Sequence, residues 1–123
     1  MESSISQRKK HHNARALVIE SQQDLISAIQ KVGASPHGTK IMSEKGMLRA
    51  ILLEEITFKQ AIIIKQEMLS KGGDAAVHAK VAALTGDYTD VLLMGTLRQL
   101  QRAAEGLMRQ PFGLRWIGEE ILE

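Results

Sequence analysis

Residues 89–100, TDVLLMGTLRQL, place a strand and a helix start back to back. Val91-Leu92-Leu93-Met94 is a short apolar run bounded by polar residues, the pattern of a buried strand. Thr96 and Gln99 then stand at the spacing of a capping box, in which each side chain satisfies the other's free amide. Leu97, Leu100, Ala104 and Leu107 follow at helical period, and Pro111 closes the helix. A strand that runs directly into a capped helix is the unit from which a sheet covered by helices is built.

The same grammar extends in both directions. Thr57 with Gln60 repeats the capping box and opens a helix carried by Ala61 through Leu69, with Gly46 to Ile56 (GMLRAILLEEI) as the strand before it. Lys40 to Ser43 is a candidate for a further short strand. Arg15 to Glu20 (RALVIE) reads as a first strand, and Ser21 as an N-cap with Asp24 three residues on. Leu25, Ile29 and Val32 share a face of the helix that follows. Gly33 stops it in the left-handed conformation open to glycine. Ala34 to Gly38 reads as a loop, and Leu114, Ile117 and Ile121 as a last amphipathic helix. Asp74 to Leu84 (DAAVHAKVAAL) is expected as a third strand, with its alanines also permitting helix. The expected order is β-α-β-α-β-β-α-α, an α/β or α+β sandwich of two or three layers.

Composition narrows the function classes. The 123 residues form one domain of ordinary size. Aromatics are only 3% of the chain, so the core is aliphatic. Five of the six methionines, Met42, Met47, Met68, Met94 and Met108, read as core packing. No cysteine is present, which excludes disulfides and thiolate metal sites. The polar N-terminus lacks a signal-peptide run, and no apolar stretch approaches the ~20 residues of a membrane span. A cytoplasmic protein with no membrane partner is expected.

The net charge of +2 sits in the tail. Arg8, Lys9 and Lys10 against Glu2 account for it, and thirteen basic residues balance thirteen acidic ones in the rest. Residues 1–13 are expected as a disordered basic tail and 14–123 as a single domain. A duplex binder clusters cations on its folded surface, so nucleic acid is not the expected partner.

The chemistry-bearing residues are few. His11, His12, His37 and His78 lack the short spacings of a zinc site. Gly72-Gly73-Asp74 follows a helix C-terminus, whereas phosphate loops precede a helix N-terminus, so a helix stop is the plainer reading. No serine sits in a G-x-S-x-G elbow. Glu54-Glu55 and Glu119-Glu120 read as solvated charge. No catalytic residue, metal ligand or cofactor is expected. The binding candidates are Lys65, Glu67, Gly72, Gly73, Asp74 and His37, with the Ser35–Gly38 loop and the Gly72–Asp74 turn as walls of a small-molecule pocket.

Five segments carry a resemblance. Residues 65–77, KQEMLSKGGDAAV, resemble a stretch found ahead of the barrel in some bacterial dihydropteroate synthases. Residues 32–38 (VGASPHG), 40–45 (KIMSEK), 89–96 (TDVLLMGT) and 110–114 (QPFGL) resemble the same region in the same order, covering about residues 15–122. Such enzymes join a pterin pyrophosphate to p-aminobenzoate on a TIM barrel of ~250 residues. The family's N-x-T-P-D-S-F, D-x-G-x-E-S-T-R-P-G and S-x-R motifs are absent, so none of its substrate residues maps onto this chain. The resemblance is to the extension, and the barrel is expected to begin where the helix of Ile117 to Glu123 runs out. It implies a non-catalytic accessory domain of folate synthesis, working with a dihydropteroate synthase barrel in trans. A stand-alone pterin or folate binding module is the alternative, and self-association a further expectation.

Overall fold

A computed structural model describes residues 12–83 and 86–122. Most of the expected basic tail therefore lies outside the described residues. The elements are α1 (Gln22–Val32), α2 (Pro36–Gly46), β1 (Leu48–Thr57), α3 (Phe58–Ser70), β2 (Asp74–Ala76), a 3-10 turn (Ala79–Val81), β3 (Tyr88–Thr96), α4 (Leu97–Leu107) and α5 (Leu114–Leu122). The three strands form one sheet in the order β1-β3-β2, antiparallel throughout.

Both capping boxes form. Thr57 Oγ1 accepts from the Gln60 amide and Gln60 Oε1 from the Thr57 amide, each at 3.1 Å. At α4, Thr96 and Gln99 repeat this at 3.1 and 2.9 Å. Gln60 also donates through Nε2 to the Phe112 carbonyl at 2.7 Å, tying the start of α3 to the turn before α5. Each box satisfies amides at a helix start, and here each fixes a strand-to-helix corner without a loop.

Three local expectations are corrected. Arg15 to Glu20 is not a strand: residues 12–20 make no ladder, and Val18 is 83% exposed. An isolated strand cannot pair its own amides, and neither sheet edge takes this one up. Residues 34–46 are not a loop and a strand. Ser35 Oγ accepts from the Gly38 amide, Pro36 supplies the preset φ of a first helical position, and α2 runs through Lys40–Ser43. Asp74 to Leu84 pairs only over Asp74–Ala76. His78 then caps the 3-10 turn, its Nδ1 accepting from the Lys80 amide at 3.0 Å, while its own amide donates to Thr89 Oγ1. The observed order is α-α-β-α-β-β-α-α.

The sheet has two unlike faces. Leu53, Ile56, Val91 and Leu93 point inward and pack with Ala61, Ile64 and Met68 of α3, Leu100 and Leu107 of α4, and Leu114 and Ile117 of α5. A bulge between Leu53 and Ile56, with Glu55 at φ 57°, keeps both apolar residues on this face. The opposite face carries the alternate residues. Leu52, Leu92 and Ala76 lie in one row across the three strands, and Ala50, Met94 and Asp74 in the next. Leu48 extends the face and is 71% exposed; Leu52 is 56% exposed. The domain is thus a two-layer α/β sandwich whose second sheet face is largely apolar, with Asp74 at its β2 edge, and carries no helix among the described residues.

On the helical side, α1 rests on α2. Gln22 donates to the buried Ser43 hydroxyl at 3.0 Å, and a Cβ on Gly46 would stand 2.7 Å from Leu25 Cδ2. No residue of α1 is buried, so this helix is the least anchored part of the domain.

Candidate functional site

The sequence candidates fall into two groups. Lys65, Glu67, Gly72, Gly73 and Asp74 gather where α3 ends and β2 begins. His37 lies exposed in the first turn of α2 and makes no hydrogen bond or ion pair with the other five among the described residues.

The two glycines answer to packing. Gly72 has φ 91°, a conformation side chains resist. At Gly73 an added Cβ would stand 2.8 Å from the Met94 carbonyl and 2.7 Å from Met68 Cε. The turn therefore lies flat against β3, where only backbone fits, and their helix-stop role is confirmed by the structure. Gly73→Ala is expected to destabilise the domain by about 1–3 kcal/mol. Gly33→Ala, facing open space, is expected to cost only about 1–2 kcal/mol for its left-handed φ. Denaturant midpoints of the two variants test this ranking; a Gly73→Ala midpoint at or above that of Gly33→Ala contradicts it.

Lys65 crosses the turn. Its Nζ lies 3.1 Å from Asp74 Oδ1 and donates to the Ala75 carbonyl at 2.6 Å. Asp74 Oδ1 also accepts from the Ala75 amide at 2.7 Å. That amide first, and Lys65 second, hold the Asp74 carboxyl below its ordinary range. A depressed carboxyl contributes stability that is complete above its unfolded pKa and drains as pH falls through the folded value. Asp74→Asn is therefore expected to flatten the fall in stability below about pH 4, measured by urea unfolding at neutral and acid pH. An unchanged acid limb in the variant would place that dependence elsewhere. Both side chains are substantially exposed, so the contribution is small.

Glu67 turns the other way. It pairs with Lys71 at 3.0 Å and packs over Gly106 of α4, where a Cβ would collide with its carboxylate. It bridges two helices and is largely covered.

Lys65 also stands at the mouth of a groove of about 470 Å³ between α3 and residues 77–82. Its walls are mainly apolar, from Ile62, Leu69, Val77 and Val81, with His78 at the rim. The sequence pointed to Lys65 but not to this groove, because its second wall depends on β2 ending after three residues. No group of three or more His, Asp or Glu side chains converges to hold a metal among the described residues. No helix there is long and apolar enough to cross a membrane.

Three known proteins are similar to this chain over part of its length. The chain is 31% identical over 105 residues to a probable bifunctional folylpolyglutamate synthase/dihydropteroate synthase of Halobacterium salinarum. It is 29% identical over 97 residues to the bifunctional dihydropteroate synthase/dihydropteroate reductase of Helicobacter pylori. A probable bifunctional folylpolyglutamate synthase/dihydropteroate synthase of Haloferax volcanii is 38% identical over 65 residues. The chain is similar to one part of folate-pathway proteins. These matches take in 85%, 79% and 53% of the chain, but only 13%, 26% and 8% of the relatives' own lengths. No protein-family model and no solved structure matches it. The folate link expected from the five segments is thereby supported, over a region that accounts for a minor share of each relative.

Proposed function

We propose that this chain is a non-catalytic accessory domain that docks on the pterin-binding barrel of a dihydropteroate synthase. The observation that carries this reading is the open, largely apolar sheet face of Leu48, Ala50, Leu52 and Met94, with half-buried Leu92 among them. A contiguous exposed apolar patch is the mark of an interaction site. The relatives' names support the choice of partner. Their second activities differ, reductase in one and folylpolyglutamate synthase in two, whereas dihydropteroate synthase is common to all three. A segment shared by all three is best explained by the activity they share.

The test is size-exclusion chromatography of this chain with a dihydropteroate synthase barrel from the same organism, followed by synthase assay. Co-elution and a changed synthase rate are expected. Separate elution with an unchanged rate would end this reading, and a self-associated chain that ignores the barrel would give the face to a second copy.

A second reading rests on the groove beside Lys65. Its apolar walls and single cation suit a flat, partly anionic ligand of the pterin or folate class. Calorimetry with pterins and folates tests it; the absence of heat removes it.

A further inference from the structure

Outside the tail the cations and anions of this chain balance, yet the fold gathers four cations around one hollow. Lys45 at the end of α2, Lys71 just past α3, and Arg98 and Arg102 of α4 line a concavity of about 430 Å³ with Thr96 and Gln99. Two acids reach these cations: Glu67 pairs with Lys71 at 3.0 Å, and Glu44 lies 3.9 Å from Arg98. Lys45 and Arg102 have no ion pair among the described residues. Four positive charges against two negative ones leave the hollow with a surplus of two.

The arrangement is unfavourable when empty. Arg98 and Arg102 stand four residues apart on one helix face, where like charges repel. They occupy the first turns of α4, at the positive end of its dipole, and no acid sits in the first turn. The helix amides are not what would meet a ligand, since Thr96 and Gln99 already cap the corner. The donors that line the hollow are side chains of three separate elements, and two of them, Lys45 and Arg102, have no ion pair among the described residues. Two guanidinium forks and two ammonium groups match a phosphate group, whose oxygens accept bidentate bonds from arginine and single ones from lysine.

We propose that this hollow binds a multiply charged phosphate group, free or carried on a small organic molecule. The site is distinct from the sheet face and the Lys65 groove, and it stands or falls independently of the docking reading.

The test is an amide chemical-shift titration of the full chain with inorganic pyrophosphate at fixed ionic strength. Saturable shifts at Lys45, Lys71 and Arg98–Arg102 are expected. Affinity should fall about tenfold or more in Arg98→Gln/Arg102→Gln, and it should survive deletion of residues 1–12. The unliganded double variant should melt at or above the wild-type temperature, since it relieves repulsion. Should that variant fail to fold, Lys45→Gln, exposed at the end of α2, must weaken binding in its place. Parallel titrations with inorganic phosphate and adenosine diphosphate distinguish a free ion from a carried group, and saturable binding of either at the hollow supports the site. Shifts confined to the N-terminal tail, or equal affinity in the variants, would overturn it.

Discussion

Ile64→Ala is expected to cost about 2–5 kcal/mol of folding stability. Ile64 is fully buried at the middle of α3, in one cluster with Leu93 of the central strand, Leu107 of α4 and Leu114 of α5. It belongs to the core that joins the sheet to all three C-terminal helices. Apart from Phe58 at the start of α3 the buried cluster is built of aliphatic and methionine side chains, and the truncation leaves a cavity among them as well as removing apolar contact. A domain of this size holds roughly 5–15 kcal/mol in total, so the loss is a large fraction. Urea unfolding should show a lower midpoint with an unchanged slope. Val32→Ala is the control, because Val32 is 87% exposed and its truncation is expected to fall within about 0.5 kcal/mol. Comparable losses in the two variants would contradict the placement of the core on the α3 side of the sheet.

The second large effect concerns the proposed docking on a synthase barrel and not the fold. Leu52 lies at the middle of the open face, level with Leu92 and Ala76 on the neighbouring strands. Leu52→Glu puts a charge there. In the free domain the side chain already meets water, so only the strand preference changes, at about 1 kcal/mol or less. In a complex the carboxylate would be desolvated without a partner, and truncation or charge at an interface centre typically costs 2 kcal/mol or more. We expect the affinity for the synthase barrel to fall about thirty-fold or more, with the melting temperature little changed. A variant that binds the barrel as the wild type does would move the docking surface off the sheet.

How much of this was legible depended on whether a feature is local. Ser21, Thr57 with Gln60, Thr96 with Gln99 and Gly33 act within four residues, and each stands where its side-chain chemistry pointed. The start of α2 was equally local. Ser35 followed by Pro36 is an N-cap with proline at the first helical position, a signal present in the sequence but outweighed by the neighbouring glycine and alanine. Strands were less legible, because a strand exists only where another accepts its hydrogen bonds. Arg15 to Glu20 has the composition of a strand and no partner, whereas Asp74–Ala76 has a partner for three residues only.

The sites followed the same division. Lys65 and Asp74 meet because a tight glycine turn folds nine residues of chain back on itself, a short-range closure around the helix stop read at Gly72-Gly73. Lys45, Lys71 and the two arginines of α4 come together only through the packing of α2 and α4 across the end of the sheet. Charge counted along the chain sums to balance and hides such a cluster. The open face was hidden for a related reason: Met94 reads as core packing, and Leu48, Leu52 and Met94 stand in solvent because no helix among the described residues covers that side of the sheet.

The strand order has a consequence for how the protein is made. Every hydrogen bond of the sheet has β3 on one side of it, since β1 and β2 flank that strand and do not touch each other. During synthesis the two outer strands leave the ribosome first, with nothing between them. Until β3 begins to emerge there is no sheet, and α3 has no paired strands to pack on. Assembly of this domain therefore waits on a single nine-residue segment late in the chain, and a nascent chain halted before Tyr88 is, in its strands, still unpaired.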